Sequence, residues 1–355
     1  MLKYLVSYHR FIFTLIFIAF LYLSFSFFFT KSNDKCFQSF SLKSMGYIPI
    51  EISTKGLNRK TFNDQIDLIK KQINDISTKI NARDKRSLIN RINSSTSPFP
   101  LPNSIFDLLK KAKEVNIITH GYFDITIKPL MTLWRDHAKK NKEPPEILIN
   151  EIKKIIGCNK FELIENSKSI TLKKNSQLDL GGIAKGWLAD LIVHRLKEHG
   201  ARRILVNIGG DMTFWDQNPN SKFKIGIEHP QRKDTLFTTL TLSNGSLATS
   251  GNHYRFFEID NKRYSHIINP KTGKPVANHI LSVTAYSQKG YISDAMATAI
   301  LILGSKKGLE LVETLQGVEC LIITKNQNSS GNSSLSTILS SGLRNNATFV
   351  AAVRS

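Results

Sequence analysis

Apolar residues run uninterrupted by charge from position 11 to 30 (FIFTLIFIAFLYLSFSFFFT), with Lys3 and Arg10 before them and Lys31 and Lys35 after. About twenty residues at ~1.5 Å rise span a hydrocarbon core of roughly 30 Å, whereas a cleaved signal has a shorter apolar region and a small-residue cleavage site. The pattern predicts a membrane anchor or signal segment over 1–36, the uncleaved anchor being the favoured reading. The basic start places the N-terminus in the cytoplasm and the body, 37–355, on the extracytoplasmic (periplasmic) side of the inner membrane. Cys36 follows Asn33, Asp34 and Lys35, which are not the small apolar residues of a lipidation site.

Beyond the anchor the periods change. Loose alternation over 40–52 predicts a strand, and Phe62, Ile66, Ile69, Ile73 and Ile76 recur at helical spacing. A polar stretch over 93–102 leads to Asn103 or Ser104 as the cap of a second helix bearing Ile105, Leu108, Leu109 and Ala112; a third starts near Pro144-Pro145 and stops at Gly157. A stronger helix over 183–199 opens at Gly181-Gly182, closes at Gly200 and runs into a short strand, 204–208.

From 223 to 276 the signals are mainly β: FKIGIE, LFTTLTL and a YRFFEI/KRYSHII pair turning at Asp260-Asn261. LSVTAYS follows from Leu281, then helices over 293–303 and 306–315 and a last strand over 319–324. The Asn/Ser-rich segment 326–346 reads as a mobile loop or a poorly ordered hairpin. Strands mixed with helices, without strict βα alternation, predict an α+β fold with one or two mixed sheets.

Composition changes this picture little. A chain of 355 residues can bury a sizeable core without staples. The net charge of +21 comes from lysines dispersed among asparagine and isoleucine, with no basic helix or aromatic-interleaved strip. That argues against nucleic acid and leaves an anionic membrane surface as a use for the surplus. Cys158 and Cys320 stand singly in apolar surroundings, as buried free thiols do.

Six blocks hold candidate chemistry. His120-Gly-Tyr-Phe-Asp-Ile-Thr126 turns on a glycine before an aromatic pair and a carboxylate; the bland alternative is a strand start with Tyr122 and Phe123 in the core and Asp124 capping a turn. Asp179-Leu-Gly-Gly-Ile-Ala-Lys-Gly186 opens a helix whose free N–H groups suit a phosphate, with Lys185 adding charge or simply solvated. Leu205-Val-Asn-Ile-Gly-Gly-Asp211 runs into a glycine pair that serves either ligand approach or packing.

Ser246-Leu-Ala-Thr-Ser-Gly251 puts small hydroxyls on a turn. In Tyr264-Ser-His-Ile-Ile-Asn-Pro-Lys-Thr-Gly273, His266 ends a strand and is either a proton carrier or structural. Asp294 and Thr298, four apart on a predicted helix, share a face and offer oxygen to a hard cation, magnesium by preference. The alternative is a dipole-favoured Asp and a back-bonding Thr.

In order, GYFDITIKPL, LDLGGIAKGWLAD, LVNIGGD, SLATSGNHYR, SHIINPKTG and SDAMATAILILG resemble the ApbE family of FAD:protein FMN transferases, over about 44–324. The resemblance implies that Met45, Tyr122, Phe123, Asp124, Asp179, Lys185 and Ile268 position FAD in a cleft. It implies Mg²⁺ held by the Gly182 carbonyl, Asp294 and Thr298. The implied reaction is attack by a threonine or serine hydroxyl of an acceptor protein on the FMN-side phosphorus of FAD, with AMP leaving. His266 is the candidate for the acceptor's proton, beside Asp294 as catalytic metal ligand. Implied acceptors are flavin-carrying subunits of membrane redox complexes, of the sodium-pumping NADH:quinone reductase or Rnf type.

Two departures stand out. Ser77-Thr78-Lys79 replaces a serine-threonine-aromatic context, removing a stacking contact to the flavin, and Asn269 replaces a commoner aspartate. FAD hydrolysis to FMN and AMP, and storage of intact FAD, are the rival readings. Retention of both Asp294 and Thr298 argues against storage.

Overall fold

The computed structural model describes residues 37–44, 48–251, 256–327 and 333–349. The apolar segment 1–36 and Met45 lie outside the described residues. The chain divides into Met1–Phe37 and a compact unit, Gln38–Ser355, which carries all that follows. Among the described residues no helix is long and apolar enough to cross a membrane.

The unit opens with a hairpin, β1 (Gln38–Ser44) and β2 (Ile48–Lys55), then passes through helices α1 (Arg59–Ile80) and α2 (Leu88–Asn93). Next come β3 (Phe99–Pro100), α3 (Asn103–Ile118), α4 (Lys128–Ala138), α5 (Glu146–Lys153), β4 (Phe161–Ile164) and β5 (Ser169–Leu172). Helix α6 (Ala184–Glu198) leads into β6 (Arg203–Ile208), β7 (Asp211–Asp216), β8 (Phe223–Glu228), β9 (Leu236–Leu242) and β10 (Gly245–Gly251). The small hairpin β11 (Phe256–Ile259) and β12 (Lys262–Ser265) precedes β13 (Ile280–Ser287), α7 (Gly290–Leu303) and α8 (Ser305–Glu313). The unit finishes with β14 (Val318–Gln327), β15 (Ser333–Leu339) and β16 (Ala347–Phe349).

Eight strands form the main sheet in the order β1-β2-β6-β7-β10-β13-β14-β15. Alternation explains why its strands are apolar on successive residues. Ile204, Val206 and Ile208 join a core with α1, α3 and α6, while Leu205 joins Phe223, Ile225 and Leu240 of the β16-β9-β8 sheet. Cys320 and Ile322 of β14 share a core with Ile300 and Val312, and Leu321 and Ile323 share the other. A strand buried on both faces loses the polar alternation of a half-exposed one.

The α+β class holds, but the expected mixed sheets do not: among the described residues every strand ladder is antiparallel, and the one parallel pairing is the isolated bridge Ile127–Gln177. Short turns between successive strands, as in β6–β7 and β11–β12, can make only antiparallel neighbours. The expected strand over 40–52 is two strands. Of the two readings of the Asn/Ser-rich segment the hairpin holds and the loop does not, because Ser333–Leu339 pairs in register with Leu321–Gln327 and is a regular edge strand. Its serines alternate with Leu335 and Leu339, both packed on the core beneath, which supplies the period that composition hid. Helix α2 and helix α4 had no expectation, and Cys158 is only half-buried.

Two helices cross at glycine. A Cβ on Gly186 of α6 would lie 2.0 Å from the Gly290 carbonyl oxygen of α7, so the backbones touch. One turn further along α6, Asp190 caps α7: its carboxylate accepts the Gly290 N–H at 2.9 and 2.7 Å and the Tyr291 N–H at 3.4 Å. Burial pushes this carboxyl up to about 6, against those hydrogen bonds. A raised native pKa means stability that is fully present below the unfolded value near 4 and is lost as pH rises through about 6. The stability of the parent relative to Asp190→Asn should therefore fall between pH 4 and pH 7; urea titrations of both proteins across that range check the sign.

Candidate active site

Helix α7 is buried on nearly all sides, so the charge at Asp294 needs partners. It has them across the glycine crossing. Its Oδ2 accepts the Gly186 N–H at 3.1 Å, and the Lys185 ammonium lies 3.7 Å from its Oδ1. Four residues on, the Thr298 hydroxyl shares a hydrogen bond with Ser250 of β10 at 3.1 Å. A Cβ built on Gly182 would be 3.8 Å from Thr298 Oγ1 and 3.1 Å from the Phe123 ring. Along the crossing, Gly182 thus lies beside Thr298 and Phe123, and Asp294 beside Gly186 and Lys185.

The Lys185 ammonium also donates to Asp211, at the start of β7. Asp211 is 2% exposed, and its other oxygen accepts the Thr249 N–H of β10 at 3.3 Å. Burial pushes the Asp211 carboxyl up; the Lys185 charge opposes this and the Asp294 charge adds to it. The glycine pair before Asp211 has a local explanation. Gly209 and Gly210 take φ of 60° and 96° in the tight β6–β7 turn, where the Gly210 N–H donates to Asn207.

The helix start is less open than its glycines imply. Gly181 N–H donates to Asp179, those of Ile183 and Ala184 reach the Leu180 carbonyl, and that of Gly186 is held by Asp294. With these amides engaged, the α6 terminus acts on an anion through its dipole and through Lys185.

The aromatic block is a turn between α3 and α4, not a strand. His120 and Gly121 take φ of 51° and 76°, and Asn116 and Thr119 hold the Phe123 carbonyl and N–H at 2.7 and 3.1 Å. Phe123 is buried and Tyr122 half-buried. Asp124 accepts from the Thr126 N–H and hydroxyl at 2.8 and 2.7 Å, and burial pushes its carboxyl up. The Asp179 N–H donates to the Ile125 carbonyl at 2.7 Å, joining this turn to the α6 start. The Tyr264–Gly273 block reaches the same place, since the Lys271 ammonium lies 5.8 Å from the Tyr122 ring centroid.

His266 is half-buried in a bend just after β12. Ile267 packs on the α7 core, and Ile268 is buried with Trp134 and Ile149 in a separate small core. The Ile268 side chain is therefore committed to packing, and its backbone bridges Pro275. Lys79, in the aromatic's place, pairs with Asp75 at 2.6 Å along α1.

Sequence reasoning passed over Asp211, Ser250, Asp190 and the Gly186–Gly290 contact. Asp211 stood at the end of a quoted block; its signal was a carboxylate directly after a glycine turn that feeds a buried strand.

Among the described residues no three His, Cys, Asp or Glu side chains gather as a metal cluster. Magnesium does not require one, because it takes one or two carboxylates with water and phosphate oxygens. The Asp294 carboxylate, Thr298 hydroxyl and neighbouring Gly182 main chain are an all-oxygen set and fit that demand.

Fold and site together define an α+β enzyme in which two buried carboxylates, one lysine and a helix start converge at a helix crossing. The sequence model of the ApbE family matches residues 47–322, and the chain belongs to that family. It is 30% identical over 272 residues to the FAD:protein FMN transferase of Vibrio cholerae, covering 75% of this chain and 80% of that one. The enzyme of the same name from Haemophilus influenzae is 30% identical over 262 residues, with 71% and 75% covered. The crystal structure of the ApbE protein from Thermotoga maritima superposes with a TM-score of 0.73 at 25% identity, over 86% of this chain and 98% of that one.

Proposed function

We propose that this protein transfers the FMN half of FAD to a threonine or serine hydroxyl of an acceptor protein, with magnesium and with release of AMP. The observation that carries this reading is the convergence of Gly182, Lys185, Asp294 and Thr298 at the α6–α7 crossing, next to the Tyr122–Asp124 turn. The family membership and the names of the relatives point the same way.

The reaction forms a bond between the acceptor oxygen and the FMN-side phosphorus and breaks the bond from that phosphorus to the bridging oxygen, which departs with AMP. Magnesium held by Asp294, Thr298 and the Gly182 carbonyl would supply neutralisation of pyrophosphate charge. Lys185 adds a fixed positive charge at the α6 start. Phe123 lies against the Gly182 backbone, and the Tyr122–Asp124 turn, tied to Asp179, orients the flavin nucleotide. His266 takes the acceptor's proton. On that assignment His266→Ala lowers turnover by ~10²–10⁴-fold at neutral pH with little change in FAD affinity; stopped-time mass analysis of the acceptor reads this, and a loss of only a few-fold removes His266 from the role.

The acceptors we propose are flavin subunits of sodium-pumping NADH:quinone reductase or Rnf-type complexes. Residues 1–36 would anchor the chain in the inner membrane with the body on the extracytoplasmic side, where such subunits are reached.

The test is incubation of the full-length protein with FAD, Mg²⁺ and an acceptor domain, followed by mass spectrometry. An acceptor mass gain equal to FMN that disappears with a chelator supports the proposal. AMP and free FMN without labelling would make the protein a hydrolase, and intact bound FAD would make it a carrier.

A further inference from the structure

One cation stands between two buried carboxylates. Lys185 occupies the first turn of α6, where the helix dipole disfavours positive charge, yet its ammonium is turned inward to Asp211 and to within 3.7 Å of Asp294. The Asp211 and Asp294 side chains are 3% and 5% exposed, so neither charge is left to water. Lys185 itself remains a quarter exposed, at the mouth of this arrangement.

Asp211 is held firmly. It faces Ile208 across the tight β6–β7 turn, the hairpin is paired back to Arg203–Asp216, and its second oxygen is fixed by the Thr249 N–H. Among the described residues Asp294 has no comparable brace from a second strand; its backbone partner is the Gly186 N–H. A metal at Asp294 and the Lys185 ammonium are like charges at one carboxylate. The site can carry both only if the lysine has another anion to rest on.

We propose that Asp211 is a positioning residue that retains Lys185 on the β7 side and so leaves Asp294 available to a divalent cation. Without Asp211, Lys185 settles on Asp294 and competes with the metal. The inference rests on the reading of Asp294 as a magnesium ligand.

The experiment is calorimetric titration of Mg²⁺ into the full-length protein in detergent, without FAD, for the parent and for Asp211→Asn, Lys185→Met, their combination and Asp294→Ala. Asp211→Asn is expected to weaken Mg²⁺ binding on the order of tenfold, and the weakening is expected to shrink to about twofold when Lys185 is also methionine. Lys185→Met alone is expected to tighten binding several-fold. Equal weakening in both backgrounds would mean that Asp211 acts by its own charge or through the fold, and the proposal fails. Unchanged affinity in Asp211→Asn also overturns it. Should Asp211→Asn not fold, as judged by circular dichroism, Lys185→Met decides alone, and unchanged or weaker binding there refutes the idea. A parent that binds no Mg²⁺ removes the metal-ligand reading and this inference with it; a parent that binds, an Asp294→Ala that does not, and no coupling between Asp211 and Lys185 remove only the inference.

Discussion

Asp294→Ala is expected to lose FMN transfer by roughly 10³-fold or more at saturating FAD and Mg²⁺. Asp294 is the one carboxylate of the proposed oxygen set, and it is 4% exposed on a helix otherwise buried among apolar neighbours. Removing it takes away the only anionic ligand for the metal. It also strips the Gly186 N–H of its acceptor, at a cost of about 1–3 kcal/mol. Lys185 keeps Asp211, so no bare cation is stranded and the fold should survive. Asp294→Asn separates the two effects: its amide oxygen can still accept from Gly186, so stability should return toward the parent's while transfer stays lost. Acceptor mass gain in single turnover, read beside a denaturation curve, checks both; a variant within tenfold of parental activity would exclude Asp294 from the chemistry.

Gly186→Ala should be the most damaging single methyl in the molecule's centre. The new Cβ would sit 2.0 Å from the Gly290 carbonyl oxygen, 2.4 Å from its carbon and 3.0 Å from the Asp294 Cβ. Two of these are main-chain atoms of a buried helix, which cannot turn aside as a side chain can. Helices α6 and α7 must separate, opening the cores on both sides, and about 3 kcal/mol or more of stability goes with them. Asp294 is carried away from the Gly186 N–H, and Thr298 from Gly182, at the same time, so activity falls even where protein remains folded. Gly200→Ala is the control: its φ of +92° strains an alanine, but nothing lies within 4 Å, so only a modest, local penalty is due. Urea midpoints for the two variants, with acceptor labelling of the soluble fraction, test the contrast; equal midpoints would show that the helices do not depend on this contact.

The helices were legible where one face does the work. Phe62, Ile66, Ile69, Ile73 and Ile76 are all buried on α1 as their spacing demands, and the Asp260-Asn261 turn takes positive φ at both residues. Asp294 and Thr298 share a side of α7 because four residues is about one turn, which needs no tertiary information. Legibility failed where a partner sets the pattern. The serine-rich β15 looks featureless until β14 fixes its register.

By itself the sequence determined the family, the helical pairing of Asp294 with Thr298, the glycine-led turns, and an anchor-like run at 11–30. These are local properties, set by spacing and by which backbone angles each residue tolerates. Only the tertiary structure decided that Lys185 rests on Asp211, that Ser250 meets Thr298, that Asp190 caps a helix 100 residues away, and that Gly186 must be glycine because Gly290 lies against it. Each of these joins elements distant in the chain, and the crossing of α6 and α7 over the sheet is what brings their polar atoms within bonding distance.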